Sequence, residues 1–563
     1  MLYRGDSAQV RAAAKRLLEL AERREALPQQ RKLMASLGAS RRIAAVRPLV
    51  RSWACCAQIG PPRPRLFSRT AKRSDETIET ASAALQALLQ LWSVAAPTQY
   101  HRLDQELRAG GSWSSVTGGG WWRLSPRPGL DGLPDSGELR TVGLGVLSCH
   151  PSGHMRQAAL RELARGPLAA SLPFLLVRAN DWVPQVRAVA ATRLAALEDT
   201  DIEVLAPLLE LVLRLAAQGR REPRAVAHLL SLLRTGRGLA TLRDYWGSSS
   251  PSLRRAAVRF SWDEAKDRGP VLKAGVESRD PVLRRWAVER LAEVGAASRT
   301  ERLRMLARDS VPMVAEAALD VLDTCIEPGD RELLKELRCA PSPSVQLTAR
   351  FMLDKHFGES SHREVYLGLL GTDDERSRIV AAVGLSATGE ASDHRVLLSE
   401  MSGAGAKGRR RLLGAAASLD YEGTRSAILK ALGHGLPGLS KAARRLLAEH
   451  VKDADADVLA DLLGSEYTHA RHNALLLVAQ LGHWIALPLI LRGTRDADGE
   501  NVDTAKRLLD RWLARHFHGI YRVPGPSIGQ KAKVRAELVA CAGRLEQPAS
   551  ANIERALAGE WGS

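Results

Sequence analysis

Along most of the chain apolar residues recur every three or four positions, the period of one face of an α-helix. The stretches "SDETIETASAALQALLQLWSVAAP" (74–97) and "PVLRRWAVERLAEV" (281–294) both carry it. Residues 8–26 and roughly 40–58 predict further helices, separated from the next by a Pro-rich breaker at 60–69. Ser74 and Asp75 stand where a cap for that next helix belongs. The segment 109–136 breaks the pattern, because its run of Gly, Trp, Ser and Pro cannot sustain a helix. The least charged stretch, 474–491, is interrupted by Gln480, Gly482, His483 and Pro488. It predicts two buried helices and a turn rather than a membrane span.

From about residue 136 the pattern itself repeats. A turn, an apolar residue, a basic residue and, three positions later, Ala recur down the chain. The basic slot falls at Arg156, Arg187, Arg224, Arg254, Arg284, Ala315, Gln346, Arg378, Arg410, Lys441, Arg471 and Lys506. Ten of these twelve positions are basic and nine are followed by the Ala, so the period is built into the chain. Each period has the length of one helical hairpin. Asp280 is placed to cap the second helix of its hairpin and Pro281 to open it, where a missing N–H costs nothing. Ser250-Pro251, Asp309, Pro341-Ser342 and Asp374 predict similar starts. One hairpin cannot bury its apolar side alone, whereas stacked hairpins share a continuous core. The expected fold is all-α, a superhelix of about eleven or twelve hairpins.

The pattern "D-P-x-[VL]-R-x-x-A-x-x-x-L" resembles the HEAT repeat, especially the shorter bacterial HEAT-like form first named for bilin lyases. The resemblance covers roughly 136–515 and implies an α-solenoid. It also implies that the recurring Arg bonds the Asp of a turn in a ladder between neighbouring repeats. Asp181, Asp280 and Asp374 match that acidic position. On this basis Arg284 is expected to bond Asp280, Arg285 to pair with Glu289 one turn on, and Trp286 to pack between helices. The expected domains are a basic helical region (1–108), a linker (109–135), the repeat array (136–515) and capping helices (516–563).

Composition sharpens this picture in two places. Apolar residues make up 45% of the 563 but aromatics only 4%, which suits small stacked helices better than one large core. The net charge of +18 is concentrated at the N-terminus, where residues 1–75 hold 17 Lys or Arg against 5 Asp or Glu. Its clusters, Arg23-Arg24, Arg31-Lys32, Arg41-Arg42 and then Arg63, Arg65, Arg69, Lys72 and Arg73, form a nucleic-acid candidate, since phosphates need cation density but no fixed spacing. The six cysteines show no CxxC and no paired framework, and the N-terminus has no secretory apolar core. Both suggest a cytoplasmic setting.

Candidate chemistry is sparse. "GAGAKG" (403–408) is formally GxGxxG, but no strand pattern precedes it. The following Arg409-Arg410-Arg411 opposes a helix N-terminus, a conflict that a bound anion would relieve. The clusters Cys149/His150/His154, His469/His472 and His516/His518 lack the spacing of a four-ligand zinc site. HEAT-like hydroxylases hold di-iron through His-Glu pairs, and no His-Glu dipeptide occurs. HEAT-like DNA glycosylases place Trp beside an acidic residue in a cleft. Here Trp182, Trp246, Trp262, Trp286, Trp484 and Trp512 fall within the repeats, where packing between repeats is the expectation. No catalytic residue, cofactor or metal is assigned. The expected function is a non-enzymatic scaffold for a protein partner, with Arg156, Arg187, Arg254, Arg284, Arg378, Arg410 and Arg471 as partner-binding candidates. Nucleic-acid binding is the alternative, and a glycosylase or lyase the third reading.

Overall fold

The computed structural model describes residues 12–17, 20, 27–39, 45–46, 48–50, 53, 75–93, 97–108, 130, 133–134, 137–217, 223–291, 293, 299–518 and 524–559. The chain divides into two compact units, Met1–Ala287 and Val288–Ser563. Among the described residues every regular element is helical.

The first unit opens with α1 (Leu27–Ala39), α2 (Asp75–Ser93) and α3 (Pro97–Arg108). Of these, only α2 follows the sequence pattern closely; the expected helices at 8–26 and 40–58 leave α1 and α3 unassigned. Pro28 and Pro97 explain this, since each reads as a breaker but sits in the first turn of its helix. Gly38 lets α1 and α2 approach: a Cβ there would lie 2.9 Å from the Ala87 backbone. The hairpins follow as α4 (Gly137–Leu147) with α5 (Gly153–Arg165), and α6 (Leu168–Arg178) with α7 (Pro184–Ala195). In the third hairpin the first arm is broken into α8 (Ile202–Leu205) and α9 (Leu209–Ala216) around Pro207, and α10 (Pro223–Arg234) returns. α11 (Gly236–Asp244) with α12 (Pro251–Glu264), then α13 (Gly269–Val276) with the start of α14 (Pro281–Leu291), complete the unit. One core runs from Ala14 through Trp53, Leu88, Leu160 and Leu194 to Phe260.

The second unit continues the rhythm. α15 (Arg299–Ala307) pairs with α16 (Pro312–Leu322), α17 (Asp330–Arg338) with α18 (Pro343–Phe357), and α19 (His362–Leu370) with α20 (Glu375–Thr388). α21 (His394–Ser399) pairs with α22 (Ala406–Leu419), α23 (Tyr421–Leu432) with α24 (Pro437–Leu447), and α25 (Ala456–Leu462) with α26 (Thr468–Val478). α27 (His483–Gly493) with α28 (Gly499–His518) and α29 (Ile528–Ala540) with α30 (Gln547–Ala558) end the described chain. The low-charge stretch 474–491 forms the end of α26, a turn and most of α27. No helix among the described residues is long and apolar enough to cross a membrane.

Sequence explains where the hairpins turn. Pro is the first residue of α7, α12, α14, α16, α18 and α24, where its fixed φ suits the helix and its absent N–H is no loss. α20 and α23 start instead on Asp374 and Asp420, which accept from the amides of Ser377 and Gly423 at 2.8 and 2.9 Å. Helix pairing is equally specific. Gly384 on α20 leaves room for the buried Tyr366 ring of α19, which an added Cβ would meet at 2.3 Å. The Tyr366 hydroxyl in turn donates to the Arg338 carbonyl of the preceding hairpin at 2.9 Å. The result, in each unit, is an all-α stack of HEAT-like helical hairpins.

Candidate functional site

The recurring arginine points inward. Arg156 on α5 donates from Nη1 to the carbonyls of His150 and Pro151, at 2.9 and 2.8 Å, closing the turn of its own hairpin. Arg187, Arg254, Arg284 and Arg471 repeat the bond to the carbonyl six residues back, at 2.6 to 2.9 Å. Gln346 makes it with its side-chain amide at 2.8 Å. A second set of nitrogens reaches the next hairpin. Arg156 grips Asp181 with Nε and Nη2 at 2.9 and 2.8 Å, and Arg471 grips Asp496 at 2.9 and 3.0 Å. Asp280 receives Arg255 at 2.6 and 2.9 Å and Arg254 at 3.4 Å. Burial would raise the Asp280 and Asp496 carboxyls, but these guanidinium and backbone N–H donors outweigh it and hold both below the ordinary carboxylate range.

Arg285 and Glu289 are both exposed on α14, as a solvated face requires. Several expectations need correction. Asp280 is bonded by Arg254 and Arg255 of the preceding hairpin, while Arg284 turns to the Ser278 carbonyl. Asp374 caps α20, because the preceding slot is the neutral Gln346, which bonds the Val380 carbonyl at 3.3 Å instead. The slot also shifts by one residue on α22 and α24. Arg409, not the exposed Arg410, bonds the Ala404 and Ser402 carbonyls at 2.8 and 3.1 Å. Ser440, not the exposed Lys441, bonds the Leu432 carbonyl at 2.6 Å. Arg224 and Lys506 are exposed as well. Arg378 straddles two hairpins, donating to the Gly403 carbonyl at 3.2 Å and lying 3.6 Å from Glu400.

A second ladder escaped the sequence pattern. In the loops between hairpins, Asp330, Asp393 and Asp455 each accept from the amide three residues back at 2.8 or 2.9 Å. Each also takes an arginine from the preceding hairpin's first helix: Arg304 at 2.5 Å, Arg363 at 2.7 and 2.8 Å, and Arg425 at 2.6 Å. The Arg363 hydrogen bonds hold the Asp393 carboxyl low despite its burial. Two of these arginines serve the hairpins whose slot is Ala315 or Ser440. The only sequence trace is an Asp 26 or 30 residues after an Arg, too loose an offset to stand out.

The glycine-rich loop has its anion in place. Glu375, the first residue of α20, accepts from the amides of Gly405 and Gly408 at 2.8 and 2.9 Å. It occupies the N-terminus of α22, so the conflict set by three arginines is met by the protein's own carboxylate. Glu375→Ala should therefore cost about 1 kcal/mol of stability. A urea midpoint that stays put would contradict this role.

The histidine clusters are used locally. His150 is buried and its Nδ1 accepts from the Ser152 amide at 3.0 Å, while His154 is exposed. His469 lies 3.0 Å from the His434 carbonyl, and His472 lies 2.8 Å from Asn501 Oδ1. His516 stacks with Trp512 and lies 3.3 Å from His483, whose pKa burial and the neighbouring His516 and Arg515 push down to about 4. Among the described residues no three His, Cys, Asp or Glu gather as a metal site. Trp262 and Trp286 meet edge to face at 5.6 Å, as do Trp484 and Trp512 at 5.2 Å. Trp182 differs: it is 61% exposed, with the Arg156 guanidinium 5.7 Å from its ring.

Of the basic N-terminal candidates, Arg31 pairs with Glu79 at 2.7 Å and Lys32 is exposed on α1. Arg23, Arg24, Arg41, Arg42, Arg63, Arg65, Arg69, Lys72 and Arg73 lie outside the described residues, as does most of 109–135.

With the ladders occupied internally, four neighbouring second helices have exposed or half-buried residues at their fifth and ninth positions. On α16 these are Glu316 and Asp320, on α18 Leu347 and Phe351, on α20 Ile379 and Val383, and on α22 Arg410 and Gly414. Leu347 and Phe351 are 59% and 57% exposed. These four helices stand side by side in the second unit. Ser344 bonds Glu316, Gln346 and Arg350 bond the Val380 and Gly384 carbonyls, and Glu375 caps α22.

No family model and no curated protein matches the chain. Among solved structures it is similar to Kap95p, solved in connection with RanGDP binding (12% identity, 92% of this chain and 71% of that one, TM-score 0.36). It is also similar to importin beta from an ammonium sulfate condition (12% identity, 98% and 77%, TM-score 0.35). A third is the S. pombe condensin Cnd3-Cnd2 subcomplex (14% identity, 97% and 75%, TM-score 0.34). The fold is defined by the stacked hairpins and their two arginine ladders. It is a HEAT-like array of helical hairpins.

Proposed function

We infer that this HEAT-like protein is a protein-binding scaffold whose partner lies along the exposed, concave face of the second helices. The observation that carries this reading is the contrast within those helices. The repeated arginines are spent on carbonyls and aspartates, whereas the outward positions change from acidic to apolar to basic between neighbours. Side chains that run from acidic through apolar to basic across neighbouring helices suit one extended partner surface. The free thiols of Cys325, Cys339 and Cys541 fit a reducing, cytoplasmic setting.

Affinity purification of the full chain from its native lysate, with and without nuclease, tests the reading. A stoichiometric protein partner that survives nuclease and cross-links to Lys355 or Lys407 is expected. Release of all bound material by nuclease would overturn it in favour of nucleic-acid binding through the basic N-terminal region.

A further inference from the structure

The four adjacent second helices α16, α18, α20 and α22 carry an ordered gradient. At one side stand Glu316 and the exposed Asp320. Leu347 and Phe351 follow, one turn apart on α18, and Ile379 and Val383 lie at the same positions on α20. The exposed Arg410 and Arg411 close the other side on α22. Glu316 is half-buried and bonded by Ser344, whereas Asp320, Arg410 and Arg411 are exposed; Arg409 makes the α22 turn bonds and Glu375 caps that helix. An exposed Phe and Leu between opposite charges is an unusual use of surface on a helix whose buried side is already apolar.

We propose that this strip, resting on the scaffold reading above, docks an amphipathic helix of a partner protein, acidic in its N-terminal turn and basic in its C-terminal turn. The apolar ridge of that helix covers Leu347, Phe351, Ile379 and Val383. Its acidic end faces Arg410 and Arg411, and its basic end faces Glu316 and Asp320. This polarity also matches the helix's own dipole, so one charge pattern stabilises both the free helix and the complex. Packed helices lie about 10 Å apart, so four of them span about 30 Å, the length of a helix of about 20 residues.

The test uses the full chain and two labelled peptides of about 20 residues with the same apolar face. One has an acidic N-terminus and basic C-terminus; the other has these ends exchanged. Fluorescence anisotropy should show the first binding and the second at least about tenfold weaker. L347S/F351S should lower affinity for the first peptide by about tenfold or more while leaving the melting midpoint unchanged, since both residues are exposed. R410E/R411E, which leaves both ends of the strip acidic, should weaken the first peptide and abolish the preference between the two. Equal binding of the two peptides, affinity indifferent to L347S/F351S, or dimerisation of the chain abolished by L347S/F351S would overturn the proposal. If a native partner is captured equally well by L347S/F351S, the strip is wrong and the scaffold reading stands; if no nuclease-resistant partner exists, the scaffold reading itself fails.

Discussion

Asp181→Ala is expected to destabilise the first unit by about 3–5 kcal/mol, more than any other single change at a ladder. Asp181 is a buried carboxylate between two buried guanidinium groups: Arg156 binds it through two nitrogens, and Arg178 donates to it at 2.9 Å. Arg178 also pairs with Asp104 of α3, tying the N-terminal helices to the first two hairpins. Removing the Asp181 carboxylate leaves two cations facing each other away from water, with Asp104 still paired to Arg178. The cost exceeds the worth of the lost bonds, because each guanidinium keeps its desolvation penalty. Urea unfolding of the full chain should show an early transition, and hydrogen exchange should place it in α5–α7. Arg156→Met with Asp181→Leu should recover much of the loss, since an apolar pair of similar volume removes the unpaired charge. Unfolding that is unchanged by Asp181→Ala would deny the ladder any structural weight.

Lowering the pH from 7 to 4 is expected to weaken the same unit by up to about 3 kcal/mol through His150. Burial, reinforced by the Arg156 guanidinium, pushes the His150 pKa down to about 4. Its Nδ1 accepts from the Ser152 amide, so protonation there would also break a turn hydrogen bond. The folded state resists a proton that the unfolded state accepts near pH 6.5. The unfolded chain thus binds more protons through this window, and stability falls as pH drops from about 6.5 toward 4. His150→Asn should flatten that part of the profile, because Asn can accept from Ser152 without titrating. A profile for His150→Asn that parallels the parent's would show that His150 does not govern it.

Much of the array was legible because its joints follow local rules. Pro at the first helical residue and Arg three positions later place Arg187, Arg254 and Arg284 without ambiguity. The same rule fails at Arg410 and Lys441. The helix start before Arg409 carries no Pro, and in "LPGLSKAA" the turn-facing residue is Ser440, whose bond gives no charge signal. Arg304, Arg363 and Arg425 stayed hidden because their partners lie in the next hairpin at unequal separations, set by loop length rather than helical period. Glu375 shows a related limit: the anion needed near 405–408 was foreseen, but only stacking reveals which carboxylate supplies it. The Leu347–Phe351 strip was illegible for the opposite reason. In sequence both residues look like core, and only the neighbouring helices show that the core side of α18 is already filled by Val345, Ala349, Met352 and Leu353.

The central claim is that the recurring arginine is a joint between repeats rather than a grip on a ligand. A double-mutant cycle on Arg471 and Asp496, read by urea unfolding of the full chain, tests it most directly. With Arg471→Met and Asp496→Ala, each single change should destabilise, and the pair should cost less than their sum by about 1–3 kcal/mol. Strictly additive effects near zero would contradict the claim and return the arginine stripe to the list of binding surfaces.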